Sequence, residues 1–210
     1  IVDGHNDLAY QLWQRGDRNG TAFLNENEAA LSITAQKAAA GGLQAGLFAL
    51  FVPQPRRDMD TSSAPQQAYA FEAACQVAAI LNQLSDDHPD RFQVCRSAPE
   101  IDTATDAGAL AAVLHLEGAE PLSPALTELD SFYAMGVRSI GPLWSRPNAF
   151  GTGVPFSFPG SPDQGTGLTD AGKALVTACD QMNILLDVSH INEAGFWDIA
   201  RLSQQPLLAS

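Results

Sequence analysis

Short runs of consecutive apolar residues recur along the chain, and stretches with helical spacing separate them. An apolar run without polar alternation is typical of a strand that is buried on both faces of its sheet. The runs predict six main strands, at residues 1–2, 43–52, 110–116, 137–143, 184–188 and 207–209. Residues 91–96 predict a short accessory strand.

Helical segments lie between most of these strands. Glycine at 41–42 and at 136 is placed to end two of them, and Thr169 and Asn192 are placed to cap two others. A glycine- and proline-rich stretch at 144–167 predicts a long loop, of a length that is usually functional or disordered. The predicted helices cover residues 28–40, 66–84, 123–135, 169–182 and 192–202, with a turn or short helix at 98–107.

Strands that alternate with helices predict parallel βαβ units and an α/β fold. Two architectures satisfy the pattern, a (β/α)8 TIM barrel and an open doubly wound sheet. No glycine-rich phosphate loop, the usual mark of the second, follows the first strand. Because a barrel takes about 250 residues, we expect residues 1–210 to supply about the first six strands of a single barrel domain, truncated on its C-terminal side.

Composition excludes several functional classes. The chain has 24 acidic and 11 basic residues, a net charge of −13, which argues against binding nucleic acid or anionic lipid. Its three cysteines are too few and too widely spaced for a disulfide framework. No signal peptide and no bilayer-spanning apolar run is visible, so we expect a cytoplasmic protein without a membrane segment.

Metal-binding residue types recur where the predicted strands end. His5 and Asp7 follow the first strand, and Glu117 and His190 follow two later ones. The carboxyl ends of barrel strands meet at one face, and two histidines with two carboxylates suit zinc or a similar divalent ion. Each residue alone could be a helix cap, a surface charge or a core histidine, but the four together favour a metal site. His115 shares a strand face with Glu117, and a structural role is expected for it.

Five short motifs occur in order along the chain: DGHNDL at 3–8, HLEG at 115–118, MGVR at 135–138, GLT at 167–169 and LDVSH at 186–190. Together they resemble the renal (membrane) dipeptidase family, a family of zinc peptidases with a (β/α)8 barrel. The resemblance spans nearly the whole chain. It implies the same barrel fold and a two-metal site at the barrel mouth.

The resemblance also implies a role for each candidate ligand. His5 and Asp7 would hold one zinc ion, and His190 would serve the second. Glu117 would bridge both ions and act in catalysis. A further histidine ligand is expected directly after Ser210, where we expect the chain to continue.

Two aromatic residues correspond to substrate contacts of the family. Tyr10 corresponds to an aromatic residue of the side-chain pocket, and Trp144 stands where renal-type enzymes have a substrate-contacting histidine. The indole of Trp144 can donate one hydrogen bond but cannot titrate. Either residue could instead simply pack against the wall of the pocket.

The implied function is hydrolysis of dipeptides by a hydroxide that bridges two divalent cations. Two alternatives stay open. One is another metal-dependent amidohydrolase on the same barrel, such as a cyclic amide hydrolase or a deaminase. The other is a non-catalytic barrel binding protein, against which the four intact ligands count. The expected partner is a dipeptide, and a homodimer is one of the assemblies left open.

Overall fold

The structure is a computed structural model, and it describes residues 1–25, 28–53 and 63–210. Within these ranges the backbone forms seven strands: β1 (Val2–Asn6), β2 (Ala45–Ala49), β3 (Phe92–Val94), β4 (Leu110–Glu117), β5 (Val137–Gly141), β6 (Leu185–Asp187) and β7 (Leu207–Leu208). The same ranges contain eight helices: α1 (Leu8–Gln14), α2 (Thr21–Leu24), α3 (Ala35–Gly41), α4 (Ala64–Asp87), α5 (Ala98–Asp106), α6 (Leu129–Met135), α7 (Asp170–Met182) and α8 (Glu193–Leu202).

Hydrogen bonds place the strands in the order β1-β2-β4-β5-β6-β7, and β3 pairs with β4 beside that path. The pairs β1–β2, β2–β4, β3–β4, β5–β6 and β6–β7 are parallel. Strand β3 is the accessory strand predicted at 91–96. Parallel neighbours need crossover connections, which helices supply here.

Contacts divide the described residues into two compact units. The first comprises Ile1–Phe51, Ala74–His115 and Phe132–Arg138, and the second comprises Val52–Ala73, Leu116–Ser131 and Ser139–Ser210. The single barrel domain expected over 1–210 stays a prediction.

Aromatic side chains form part of the core of the first unit. Phe48 of β2 and Phe92 of β3 are completely buried, with ring centroids 5.2 Å apart, and the buried ring of Phe23 lies 5.4 Å from Phe92. Burial of one such side chain contributes about 1.5–3 kcal/mol. The apolar residues that predict β2 and β3 therefore also pack the two strands against each other.

Two helices of the second unit begin at the residues predicted to cap them. The Thr169 hydroxyl accepts a hydrogen bond from the Gly172 amide at 3.1 Å, at the start of α7. The Asn192 side-chain oxygen accepts one from the Gly195 amide at 3.1 Å, at the start of α8. Each cap satisfies a backbone donor that the helix leaves unpaired, worth about 1 kcal/mol.

The alanine-rich helix begins at Ala35, so the predicted start at residue 28 is wrong. Thr34 is extended (φ −130°), and its hydroxyl accepts a hydrogen bond from the Lys37 amide at 3.2 Å. Upstream, the Glu28 carboxylate accepts a hydrogen bond from the Ala30 amide at 3.1 Å. These local side-chain bonds compete with helical backbone bonds and confine the helix to the part after Thr34.

Helix α6 is also shorter than predicted, because it begins at Leu129 rather than at Ser123. The amide and hydroxyl of Ser123 both donate to the Glu128 carboxylate, at 2.8 Å each. Leu126 has a left-handed backbone (φ 60°), which is incompatible with a continuous helix.

The apolar pattern did not predict α1 and α2. They have seven and four residues, too few to establish a helical period. Strand β1 extends through Asn6, so His5 lies inside the strand instead of after it. Among the described helices, none is both long enough and apolar enough to cross a bilayer.

Candidate metal centre

The end of β1 brings one imidazole and one carboxylate together in the first unit. The His5 Nε2 atom lies 3.9 Å from Asp7 Oδ1. Both side chains keep access to solvent, with 26% of His5 and 51% of Asp7 exposed. Asp7 directly follows β1 and precedes α1, so the turn from strand to helix places its carboxylate beside His5.

An irregularity in β1 sets the direction of these two side chains. Asp3 pairs with Gly46 while Asn6 pairs with Phe48, so β1 carries one more residue than β2 over this stretch. Such a bulge bends a strand and redirects its side chains. His5 lies within this bulge, between Asp3 and Asn6.

The side chain of Asn6 holds the bulge in place. Its amide nitrogen donates to Asp3 Oδ2 and to the Leu47 carbonyl, at 3.2 Å each, and its oxygen accepts from the Leu8 amide at 3.3 Å. A Cβ atom on Gly46 would lie 3.2 Å from Asp3 Cβ and 3.4 Å from Asn6 Nδ2. Asn6 thus joins β1 to β2 and to the start of α1.

A cavity of about 310 Å³ adjoins this pair in the first unit. His5, Asp7 and Gln11 contribute to one part of its lining, and Ser32 and Ile33 contribute to another. The cavity leaves room for a small polar molecule beside the imidazole and the carboxylate.

Behind His5 lies a second histidine, on strand β4. The His115 ring is 1% exposed, and its centroid lies 5.8 Å from that of His5 in an edge-on arrangement. His115 pairs with Ala49 of β2. The structural role expected for His115 is consistent with this burial.

In the second unit, the end of β4 and the loop after β6 contribute another pair of donors. The Glu117 Oε1 atom lies 3.3 Å from His190 Nε2. The Glu117 side chain is 8% exposed and that of His190 is 28% exposed. A nearly buried carboxylate needs a cationic or hydrogen-bonding partner, because burial disfavours its charge.

Several contacts fix His190. Its backbone is left-handed (φ 64°), a conformation that costs a non-glycine residue about 1–2 kcal/mol. Its carbonyl accepts a hydrogen bond from the Val154 amide at 2.7 Å, and Gly153 forms a bridge with Ile191. Its Nδ1 atom lies 2.9 Å from the Ser145 hydroxyl oxygen. Strain of this kind is common at functional sites, where the surroundings hold it.

The two predicted substrate contacts occupy different aromatic groups. Trp144 lies beside His190, with ring centroids 6.0 Å apart, and Phe156 lies 5.4 Å from Trp144 and 6.2 Å from His190. Tyr10, on α1, packs edge-on against Phe51 at 5.4 Å in the first unit.

Sequence reasoning missed an ion pair near Trp144. Arg146 Nε donates to Glu120 Oε1 at 2.7 Å, and both side chains are nearly buried. The Arg146 guanidinium also lies 5.0 Å from the Trp144 ring centroid and donates to the Val52 carbonyl. No spacing in the sequence connects Glu120 with Arg146, because the folded loop alone brings them together.

The two donor pairs fit a divalent cation. Nitrogen and oxygen ligands bind zinc at about 2.0–2.1 Å, so two ligands of a tetrahedral ion lie about 3.3 Å apart. The Glu117–His190 separation of 3.3 Å matches this spacing, and the His5–Asp7 separation of 3.9 Å is slightly wider. Neither pair needs a large rearrangement to share an ion.

The model of the membrane dipeptidase family, peptidase family M19, matches residues 1–210. The chain belongs to this family. The M19 match thus includes both donor pairs. Two solved relatives are described as metallopeptidases, a class of enzyme that depends on a bound metal ion.

Three relatives illustrate the similarity. A metallopeptidase from Rhodobacter sphaeroides, liganded with a phosphinate mimic of the dipeptide L-Ala-D-Ala, has 38% identity and a TM-score of 0.90 over 100% of this chain and 64% of its own. The structure of the dipeptidase AC has 39% identity and a TM-score of 0.89, over 100% and 62%. An uncharacterized Acinetobacter calcoaceticus protein is 34% identical over 100% of this chain and 69% of its own.

The M19 chain therefore spans slightly less than two thirds of the solved relatives it matches. Its superposition on the Rhodobacter sphaeroides structure confirms the fold class predicted from the sequence, the first part of an α/β barrel.

Proposed function

We propose that the two donor pairs form one metal centre for two zinc ions, held by four side chains: His5, Asp7, Glu117 and His190. The course of β4 supports this arrangement. His115 contacts His5 within the first unit, and Glu117 follows two residues later on the same strand. Side chains two apart on a strand share a face, so His115 and Glu117 are on the same face of β4.

The reaction that we propose for this centre is hydrolysis of a dipeptide. When bound, two divalent ions supply a hydroxide at neutral pH and polarise the scissile carbonyl. Glu117, whose carboxylate is nearly buried, would serve as a ligand of both ions. His5 and Asp7 would hold one ion beside the 310 Å³ cavity, which gives a small substrate access.

Dipeptides are the substrate class that the relatives favour. One relative is liganded with a mimic of L-Ala-D-Ala and another is described as a dipeptidase. In this chain, Trp144 and Phe156 form an aromatic wall beside His190 that would contact a substrate side chain. We propose a second contact at Tyr10.

One observation carries the proposal more than the others: the Glu117 carboxylate is buried and lies 3.3 Å from a histidine that is held in a strained backbone. A buried acid that served packing alone would be replaced at little cost by an apolar residue. A metal ligand at this position requires the carboxylate.

Metal analysis after incubation with zinc, together with a dipeptide hydrolysis assay, tests the proposal. We expect about two bound ions per chain in the full-length parent protein and a loss of binding and of activity in His5→Ala and in His190→Ala. His88→Ala is the matched control, because His88 is a half-buried residue that directly follows α4 and belongs to neither pair. Less than one bound ion per chain in the parent would reject the proposal.

Assays with other substrates separate the two alternatives. Hydrolysis of a cyclic amide, or deamination of an amino-substituted heterocycle, without cleavage of dipeptides would identify a different amidohydrolase. Bound zinc without any turnover would identify a binding protein.

A further inference from the structure

We propose that Ser145 is a positioning residue that fixes the ring of His190 for metal binding. The inference rests on the proposed function and deepens it, because it concerns how one of the proposed ligands is oriented. Ser145 follows β5 by four residues, and its hydroxyl oxygen lies 2.9 Å from His190 Nδ1. The opposite ring nitrogen, Nε2, is the atom that faces Glu117.

The backbone of His190 is already fixed without Ser145. The left-handed φ of 64° and the hydrogen bond from the Val154 amide hold the main chain. What remains free is rotation of the side chain, including a half-turn of the ring that exchanges nitrogen and carbon positions. An uncorrected half-turn would direct a carbon atom at Glu117 in place of Nε2.

The aromatic neighbours of His190 do not prevent that half-turn. Trp144 and Phe156 contact the imidazole at centroid distances of 6.0 and 6.2 Å. Ring packing of this kind depends on shape and is nearly the same for both ring orientations. A hydrogen bond to Nδ1 distinguishes them, because the flipped ring presents a carbon to the hydroxyl.

The hydroxyl is also compatible with the protonation pattern that a metal needs. A ligating Nε2 must carry a free lone pair, so the ring proton must lie on Nδ1. A serine oxygen accepts a hydrogen bond from Nδ1–H in that form. The same hydroxyl can donate when Nδ1 lacks the proton, so the bond holds the ring before and after a metal binds.

Zinc affinity, measured by competition with a chromophoric chelator, tests the role of Ser145. The variants are Ser145→Ala, Ser145→Thr and Ser145→Val, of which the last two have nearly the same shape and differ in the hydroxyl. Loss of an outer partner of a histidine ligand lowers metal affinity about 10–100-fold. We expect that loss in Ser145→Ala and Ser145→Val and near-parental affinity in Ser145→Thr.

Thr177→Ala is the control. Thr177 lies on α7 in the same unit, and its hydroxyl donates to the Lys173 carbonyl of its own helix. We expect this variant to bind zinc as the parent does. An equal loss in Thr177→Ala would overturn the inference, since the effect would then follow from the loss of any hydroxyl in this unit.

A second readout does not depend on metal or on activity. Long-range ¹H–¹⁵N NMR spectra of the metal-free protein report which ring nitrogen of His190 carries the proton. We expect the Nδ1 resonance to shift in Ser145→Ala and to return toward its parental position in Ser145→Thr. An unchanged resonance together with unchanged zinc affinity in Ser145→Ala would overturn the positioning role.

His190→Ala distinguishes failure of the inference from failure of the proposed function. If His190→Ala binds zinc as tightly as the parent, His190 is not a ligand and the metal centre as proposed is wrong. If His190→Ala binds weakly while Ser145→Ala binds normally, the metal centre stands and only the role of Ser145 is wrong.

Discussion

His190 Nε2 lies 3.3 Å from Glu117 Oε1, and this contact joins a residue of a loop to the last residue of strand β4. The two partners differ in how they are held. Glu117 is fixed by a parallel strand, whereas His190 depends on a strained backbone and on loop hydrogen bonds. The chemistry proposed for the site can therefore be tested separately at each partner.

Glu117→Gln tests the carboxylate. The amide keeps the volume of the side chain and can still form a hydrogen bond with His190, so we expect the free energy of unfolding to change by about 1 kcal/mol or less. Dipeptide hydrolysis should fall to background, because a neutral amide is a poor ligand for two cations. Circular dichroism and a hydrolysis assay on the same sample check both parts. Substantial activity in this variant would contradict the bridging role.

Asn6→Asp tests the support of the β1 bulge. The substitution removes the donors to Asp3 and to the Leu47 carbonyl and places a second carboxylate beside Asp3. We expect a loss of about 1–3 kcal/mol in the free energy of unfolding, measured with urea. Asn19→Asp introduces the same charge at an exposed site of the first unit and should change stability by about 0.5 kcal/mol or less. Equal effects at the two sites would show that the added charge, and not the lost bonds, is responsible.

Glu120→Gln tests the nearly buried ion pair of the second unit. The substitution removes a carboxylate that lies 2.7 Å from the Arg146 guanidinium, and removing one member of a buried pair costs about 3–5 kcal/mol. Thermal unfolding should report the loss. The control is Asp170→Asn, which breaks an exposed pair with Lys173 and should cost about 0.5 kcal/mol or less. A Glu120 variant as stable as this control would argue against the energetic importance of the pair.

Trp144→Ala tests the proposed aromatic wall. An aromatic contact contributes about 0.5–1.5 kcal/mol, which corresponds to about a 2- to 13-fold change in binding. We expect KM to rise by that factor for dipeptides with apolar side chains, with a smaller change in kcat. Trp197→Ala removes an exposed indole from α8 and should leave KM unchanged. Loss of stability without a change in KM would assign Trp144 to packing alone.

The buried thiol of Cys179 predicts a pH dependence of stability. Burial, together with the nearby Asp180 carboxylate, raises the pKa of Cys179 from 9.0 to about 12. The unfolded state loses this proton first, so stability falls as pH rises between these two values, by about 1.4 kcal/mol per pH unit. Below pH 9 the contribution is complete. The free energy of unfolding is measured for the parent and for Cys179→Ala from pH 8 to 11. The difference between the two proteins should show this slope, and a difference that stays constant with pH would contradict the prediction.

The fold follows from the sequence where local chemistry is decisive. Apolar runs mark the strands, because a strand that is buried on both faces of its sheet has apolar residues at nearly every position. Thr169 and Asn192 mark helix starts, because a cap acts within its own helix turn. The donor residues are visible for a related reason: parallel strands end at one edge, so ligand types at successive strand ends are expected to converge.

The supports of the site were not visible in the sequence. Ser145 meets His190 across 45 positions of the chain, and Asn6 acts through a bulge that depends on the register of β2. The left-handed backbone of His190 carries no sequence mark either, since the residue is not glycine. Long-range polar contacts of this kind depend on the completed fold.

The close packing around Gly46 has a consequence for engineering this protein. Any side chain at that position would press on Asp3 and Asn6 of the neighbouring strand. A library that varies Gly46 to alter stability would therefore change the orientation of the His5 side chain, although His5 itself is unchanged. Residue 46 belongs among the positions to keep constant when the substrate range is redesigned, although it offers no functional group of its own.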